Sequence, residues 1–390
     1  MSSSASGASS GKPVRLLSID GGGVRGLSAL VLLEQLMDLS NDHRGKQGLP
    51  TLEPWQMFDM IGGTSTGGLI AIMLGRLRLS ISECKRAYMD LSEKAFTPRN
   101  FISRQIGAAT VGSKFKTEPL ENAIKSLIGD NWKNELLKDD DSACKVFVVS
   151  HQQNYTTPVV LRSYRNFRKP KTTLEIMRIW EACRATSAAL TFFDPITIDG
   201  SKYSDGGLFY NNPVQLVHGE ASEVFPNQEQ VIVSLGTGMG KPKVFEPYLF
   251  NVAQLLADLA TETERTANDF YRRDDCKAAK AGQYYRFNVP DIGDVGLEEV
   301  QRLGDIKNLT EIYLEGAELG QKINSCAKQL IGGAYEISES VAAKSEPLGE
   351  GVKDARTQDL QRRLDALAET PRGDLDHGTE KAMAWKRRRK

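Results

Sequence analysis

Phe58-Asp59-Met60-Ile61-Gly62-Gly63-Thr64-Ser65-Thr66-Gly67-Gly68-Leu69-Ile70-Ala71-Ile72-Met73-Leu74-Gly75 joins a short apolar run to small and apolar residues at helical spacing. Between them stands Gly63-Thr64-Ser65-Thr66-Gly67, a Gly-x-Ser-x-Gly pattern. A serine on a sharp strand-to-helix turn is pushed out of the packing, and glycines on either side let strand and helix approach without Cβ clashes. The same turn aims the unpaired N–H groups and partial positive charge of the next helix at whatever the serine attacks. A Gly/Ser/Thr-rich turn alone would mean little. Strand, turn and helix in this order predict a nucleophile elbow, with Gly63 and Gly67 as its hinges and Ser65 as its nucleophile.

Upstream, Val14-Arg15-Leu16-Leu17-Ser18-Ile19-Asp20 reads as a strand, stopped by Gly21-Gly22-Gly23-Val24-Arg25-Gly26. Leu27, Leu30, Val31, Leu32, Leu33 and Leu36 then recur at helical spacing. Gly21-x-Gly23-x-x-Gly26 also fits a dinucleotide fingerprint, but that motif needs a second strand ending in an acidic residue about 20 residues on. Residues 38–48 read instead as a polar loop. A glycine loop can otherwise present backbone N–H groups to a developing oxyanion. If the strands before Gly21 and Ser65 are parallel neighbours, loop and nucleophile face each other. Arg25 could brace the loop, neutralise an anion, or be a solvated loop charge.

Downstream, Ser80 to Ala95 predicts an amphipathic helix with Ser80 as N-cap and Glu83 closing a capping box. Residues 99–116 lack clean periodicity and read as a packed connection or a flap over an apolar pocket. Strands are expected at 145–150, 159–164, 230–235 and from Tyr284, and helices at 174–189, 214–224, 245–271 and 298–330. Tyr203-Ser204-Asp205-Gly206-Gly207 ends a short strand in a turn, with Asn211-Asn212-Pro213 beyond it.

With 390 residues the chain can bury a full core. Fifty basic residues balance fifty acidic ones, so net charge gives no reason to expect nucleic acid. No run reaches the roughly 20 apolar residues that span a bilayer. Residues 1–13 lack the charged start and apolar middle of a signal peptide and read as a disordered lead. Five widely spaced cysteines without a Cys-x-x-Cys pair suit a reducing, cytoplasmic compartment. From about Ser338 the chain is charged and poor in aromatics, ending in the basic run Trp385-Lys386-Arg387-Arg388-Arg389-Lys390. Residues 336–390 read as a solvated, disordered tail.

Asp20-Gly21-Gly22-Gly23-Val24-Arg25-Gly26, Gly63-Thr64-Ser65-Thr66-Gly67 and Asp205-Gly206-Gly207, in this order, resemble the patatin-like phospholipase family, calcium-independent phospholipases A2 and lipid acyl hydrolases among them. Glu181 to Ala189 and Ser234-Leu235-Gly236-Thr237-Gly238 are similar to further family segments. The resemblance implies a three-layer α/β/α sandwich on a mainly parallel sheet, occupying residues 14–335 with the signature motifs within 14–240. It implies hydrolysis of phospholipid or lysophospholipid esters at a membrane or micelle interface, by Ser65 with Asp205 as its base. Gly21, Gly22, Gly23 and Arg25 would form the oxyanion loop, and neither metal nor cofactor is implied. Two other functions fit the same motifs: a non-catalytic lipid-binding scaffold, and an acyltransferase. A Ser–acid–His triad would have to draw on His218 or His377 after Asp205, one in a predicted helix and one in the polar tail.

Overall fold

The computed structural model describes residues 12–96, 113, 115–153, 155, 157–169, 176–189, 192–239, 263–273, 278 and 281–332. Its strands are β1 (Val14–Ile19), β2 (Met60–Thr64), β3 (Lys145–Gln152), β4 (Pro158–Arg162), β5 (Ile196–Ile198), β6 (Ser201–Asp205), β7 (Gln230–Leu235) and β8 (Tyr284–Phe287). The principal helices are α1 (Gly26–Lys46), α2 (Thr66–Ala71), α3 (Ile81–Ala95), α4 (Thr117–Ile128), α5 (Ile179–Thr186), α6 (Val214–Val224), α7 (Leu303–Leu314) and α8 (Ala317–Ile331). The strands form one eight-stranded sheet in the order β5-β6-β3-β2-β1-β7-β8, with β4 also on β3.

β1, β2, β3, β7 and β8 run parallel. Central parallel strands are covered on both faces and therefore read as nearly continuous apolar runs. Accordingly all six residues of β1 and all six of β7 are buried. Leu16, Met60, Phe147, Val149 and Ile232 face one side and pack with Val214 and Val217 of α6. Helix α1 packs against α3, α7 and α8. The result is a mixed α/β fold with a mainly parallel central sheet flanked by helices.

The placement of β6 matters most for function. Along β3, Val149 pairs with Thr64 of β2 and with Val160 of β4, while Ser150 pairs with Asp205 of β6 and with Val159 of β4. A strand has two edges, so β4 holds one of them and β2 and β6 share the other. β2 is parallel to β3 and β6 antiparallel, so their C-terminal ends meet head-on. Residues 64 and 205 are thereby delivered to consecutive positions along one strand.

Helix α1 overrides one expectation. Residues 38–46 continue it rather than forming a polar loop. Ser40 Oγ bonds back to the Leu36 carbonyl, and Asn41 exchanges two hydrogen bonds with Leu52, which tie the polar side chains down without breaking the helix. The helix expected over 298–330 is two helices, separated at Glu315-Gly316 and preceded by a 3₁₀ turn at Val300–Arg302. Ser80 and Glu83 form the predicted capping box of α3. The lead 1–11, most of the 99–116 connection, residues 174–175, the segment 245–262 and the chain beyond 332, including His377, lie outside the described residues.

A buried ion pair fastens β4 to α6. Glu220 accepts from Arg162 Nε at 2.7 Å, from Tyr164 Oη at 2.9 Å and from Asn166 Nδ2 at 3.2 Å. Removing one member of such a pair strands the other's charge, which typically costs 3–5 kcal/mol. Glu220→Ala is expected to lower stability by about 3 kcal/mol in urea unfolding. A loss below about 1 kcal/mol, the range of an exposed pair, would contradict this account.

Candidate active site

Ser65 stands between β2 and α2 with φ 55° and ψ −126°, a conformation that a non-glycine residue holds only at a cost of about 1–3 kcal/mol. Its neighbours leave no alternative. A Cβ on Gly63 would lie 2.2 Å from the Gly67 carbonyl oxygen, and one on Gly67 would lie 2.3 Å from that of Ile19. The Ser65 amide donates to Thr186 Oγ1 at 2.9 Å, and that hydroxyl donates to the Val149 carbonyl at 2.7 Å. Thr186 thus orients the nucleophile's peptide against the sheet. The segment around it stood out in the sequence only through family likeness, and its role was not legible there.

Asp205 ends β6 and is 6% exposed. Burial pushes its carboxyl from 3.8 up to about 7, against hydrogen bonds from the Ser65 side chain and the Gly207 amide that pull it down. The Gly207 N–H donates to Oδ1 at 2.7 Å, and the Asp205 amide donates to the Ala188 carbonyl at 2.9 Å. Strand register therefore brings together the two residues that 140 positions of sequence separate.

The glycine loop is held by its carbonyl groups. Gly21 O accepts from Thr237 Oγ1 at 2.7 Å, Gly22 O from the Arg25 amide at 3.1 Å and Arg25 Nε at 3.3 Å, and Gly23 O from Tyr88 Oη. With the Gly22 carbonyl tied to Arg25, the N–H of the same peptide, which belongs to Gly23, points the other way. The three amides are not equivalent. That of Gly21 donates to the Asn211 carbonyl at 3.0 Å and that of Gly22 to Thr66 Oγ1 at 3.1 Å, whereas that of Gly23 has no partner among the described residues. At φ 56°, with Leu297 O 2.2 Å from where a Cβ would be, position 23 also excludes any other residue without movement.

Arg25, grouped with the oxyanion donors from sequence, is a brace. It is buried, and its guanidinium donates to the carbonyls of Gly22 and, at 3.2 Å, Gly293. Burial lowers its pKa to about 10, so it is still charged at neutral pH. Support also comes from late in the chain. The Val24 amide donates to Leu297 O at 2.9 Å, and Arg286 of β8 reaches Asp20 at 2.7 Å and Glu264 at 2.8 Å. Burial raises Asp20 to about 6 although Arg286 opposes the shift. Nothing in residues 284–299 marked them from sequence as partners of a loop some 270 positions earlier.

The described histidines are engaged elsewhere. His43 Nε2 pairs with Asn324 Oδ1, His218 Nδ1 with Gln230 Oε1 and His151 Nε2 with the Tyr155 carbonyl, each at 2.7 Å. Among the described residues, no group of three or more His, Cys, Asp or Glu is arranged to hold a metal ion, and no helix is long and apolar enough to cross a membrane.

Comparison with known sequences places this geometry in context. The sequence model described as patatin-like phospholipase matches residues 17–218. Calcium-independent phospholipase A2-gamma of Rattus norvegicus is 28% identical over 330 residues, covering 82% of this chain and 40% of that protein. Patatin-like protein 2 of Arabidopsis thaliana is 30% identical over 259 residues, 59% of this chain and 61% of the relative. The cGAMP-activated phospholipase of Vibrio cholerae is 29% identical over 256 residues, 62% and 64% of the two chains. The chain thus spans two fifths of the length of the phospholipase A2-gamma relative.

Proposed function

From the premise that the chain belongs to the patatin-like phospholipase family, we propose that it is a metal-independent serine hydrolase of phospholipid or lysophospholipid acyl esters. Ser65 is the nucleophile and Asp205 its only side-chain base. The observation that carries this is the head-on meeting of β2 and β6, which sets the Ser65 hydroxyl against a buried carboxyl.

An ordinary aspartate, near pKa 3.9, is a weak acceptor for a serine proton. Desolvation that lifts Asp205 to about 7 removes much of that mismatch. Asp205 takes the Ser65 proton as Oγ attacks the acyl carbonyl, and the developing oxyanion is held by the Gly23 amide and the Thr66 amide at the start of α2. The ester then breaks, the alcohol or lysolipid leaves with the proton from Asp205, and an acyl-Ser65 ester is left. Leu208 and Phe209, in the short turn directly after Asp205, are 47% and 44% exposed and offer apolar surface where an acyl lipid would approach. The phospholipase names of the relatives support the substrate class.

Because only the ionised carboxyl accepts a proton, the rate of Ser65 acylation is expected to rise with pH around a midpoint near 7 and level off above it. A stopped-flow pH profile with a soluble chromogenic ester measures this. A midpoint near 4 would mean that Asp205 is not desolvated when it acts. Defined phospholipids, lysolipids and triacylglycerols offered to the purified full chain, with products read by mass, test the substrate class. Release of fatty acid by the wild-type protein and none by Ser65→Ala is expected. Equal release by both would refute the proposal.

A further inference from the structure

Asn211 lies in the catalytic centre and is accounted for neither by nucleophile, base nor oxyanion donors. The turn Gly207–Tyr210 folds the chain back from Asp205, and Thr64 Oγ1 pins it by donating to the Tyr210 carbonyl at 2.7 Å. Asn211 then lies across the glycine loop. Its backbone carbonyl accepts the Gly21 amide at 3.0 Å, and its Nδ2 donates to Gly21 O at 3.3 Å. Only the amide nitrogen can donate to a carbonyl, so the carboxamide is oriented and Oδ1 faces the other way.

That oxygen borders the reacting groups. A Cβ built on Gly21 would have Asn211 Oδ1 at 2.3 Å and Ser65 Cβ at 3.0 Å; one built on Gly207 would have Asp205 Oδ1 at 3.1 Å and Asn211 Oδ1 at 3.3 Å. Asn211 Oδ1 therefore lies close to Ser65 on one side and to Asp205 on the other, an approach that side chains at positions 21 and 207 would obstruct. The residue is 6% exposed, and Oδ1, which accepts no hydrogen bond from a described residue, is not sealed away from solvent.

An acceptor beside a carboxylate and an acylated serine suits a species with two hydrogens to place. We propose that Asn211 orients the water that hydrolyses acyl-Ser65, an assignment that rests on the serine-hydrolase function proposed above. One water hydrogen goes to Asp205 as a proton while the other is held by Asn211 Oδ1, which turns the oxygen lone pair toward the acyl carbon. The new C–O bond forms and a tetrahedral oxyanion results. It collapses with cleavage of the bond to Ser65 Oγ, which takes the proton back from Asp205, and a carboxylic acid leaves. Acylation uses no water, so Asn211 Oδ1 serves the second half of the cycle alone. The Gly21 amide bond to the Asn211 backbone is independent of the side chain and survives its removal.

The test compares wild type, Asn211→Ala and the milder Asn211→Ser, all as full-length protein, with p-nitrophenyl butyrate in a rapid-mixing instrument. Nitrophenolate release and the intact mass of the protein are followed together, with the melting temperature as a check on folding. Both variants are expected to keep a burst near one equivalent and to accumulate a butyryl adduct on Ser65. Their steady-state rate is expected to fall about 10²-fold, the usual effect of misplacing a reactant. A merely structural role would slow burst and steady state together. That result, or wild-type turnover in both variants, overturns the assignment. Ester turnover by the wild-type protein that is unchanged in Ser65→Ala instead overturns the serine-hydrolase function itself, and Asn211's part with it.

Discussion

Asp205→Asn is expected to lower ester turnover by about 10⁴-fold, the upper end of what a general base contributes, and to make the folded protein more stable at neutral pH. Asparagine preserves the shape of the carboxylate, and its Oδ1 can still accept the Gly207 amide. What it cannot do is take the Ser65 proton. The stability gain follows from the same burial. The folded state raises the carboxyl from 3.8 to about 7, so between these values it binds more protons than the unfolded chain and stability falls as pH rises. Above about pH 7 the folded protein carries an ionised group in a site that favours the neutral form. Removing the ionisation should add stability on the order of 4 kcal/mol at pH 8 and less than about 1 kcal/mol at pH 4. Urea unfolding at the two pH values, beside a turnover assay, measures both. A variant that loses activity and stability together would mean that Asp205 is structural. One that keeps wild-type turnover would remove it from the chemistry.

Gly23→Ala is expected to cost about 10³-fold in turnover, the worth of one well-placed oxyanion donor. The added Cβ would sit 2.2 Å from Leu297 O at a φ of 56°, so either the loop or the 291–299 segment behind it must move. The unpartnered amide moves with it. Gly48→Ala is the matched control. Its φ is 72°, so it bears similar backbone strain, but it meets nothing within 4 Å and stands at the far end of α1. Steady-state kinetics should show a fall in kcat for Gly23→Ala and wild-type kcat for Gly48→Ala. Equal effects from the two would show that backbone strain alone, and not donor position, sets the loss.

How much of this was legible from residues alone depends on the range of the interaction involved. The elbow was legible because strand, Ser65 and helix are contiguous and because Gly63 and Gly67 answer to contacts within a few residues or with the neighbouring strand. The central sheet was legible because β1, β2 and β7 are buried on both faces and β1 and β7 read as nearly continuous apolar runs. Residues 38–46 were misjudged because their polar side chains are satisfied by Leu36 and Leu52, partners that hydropathy does not reveal. β5 is three residues long, too short for any period to register.

The site divides along the same line. Ser65, Asp205 and the glycine loop were named from motifs, but the distinct states of the three loop amides come from long-range partners. Arg25 could not be fixed as a brace until Gly293 was seen beside it. Tyr88 falls within the amphipathic helix predicted over Ser80 to Ala95, and its hydrogen bond to Gly23 O depends on how α3 packs against the loop. Arg286 and Leu297 lie beyond the family match at 17–218, and it is the β7–β8 pairing that brings Arg286, and the Val24 amide that ties Leu297, behind the loop. Asn211 was visible as a polar turn residue, while its place between Ser65 and Asp205 is a product of the fold.

The most direct measurement is the intact mass of the purified protein after exposure to a fluorophosphonate, followed by peptide mapping. A single adduct on Ser65 is predicted, forming faster as pH rises through about 7 and absent from Ser65→Ala. An unmodified wild-type protein, or an adduct on any other residue, would contradict a nucleophile at the meeting point of β2 and β6.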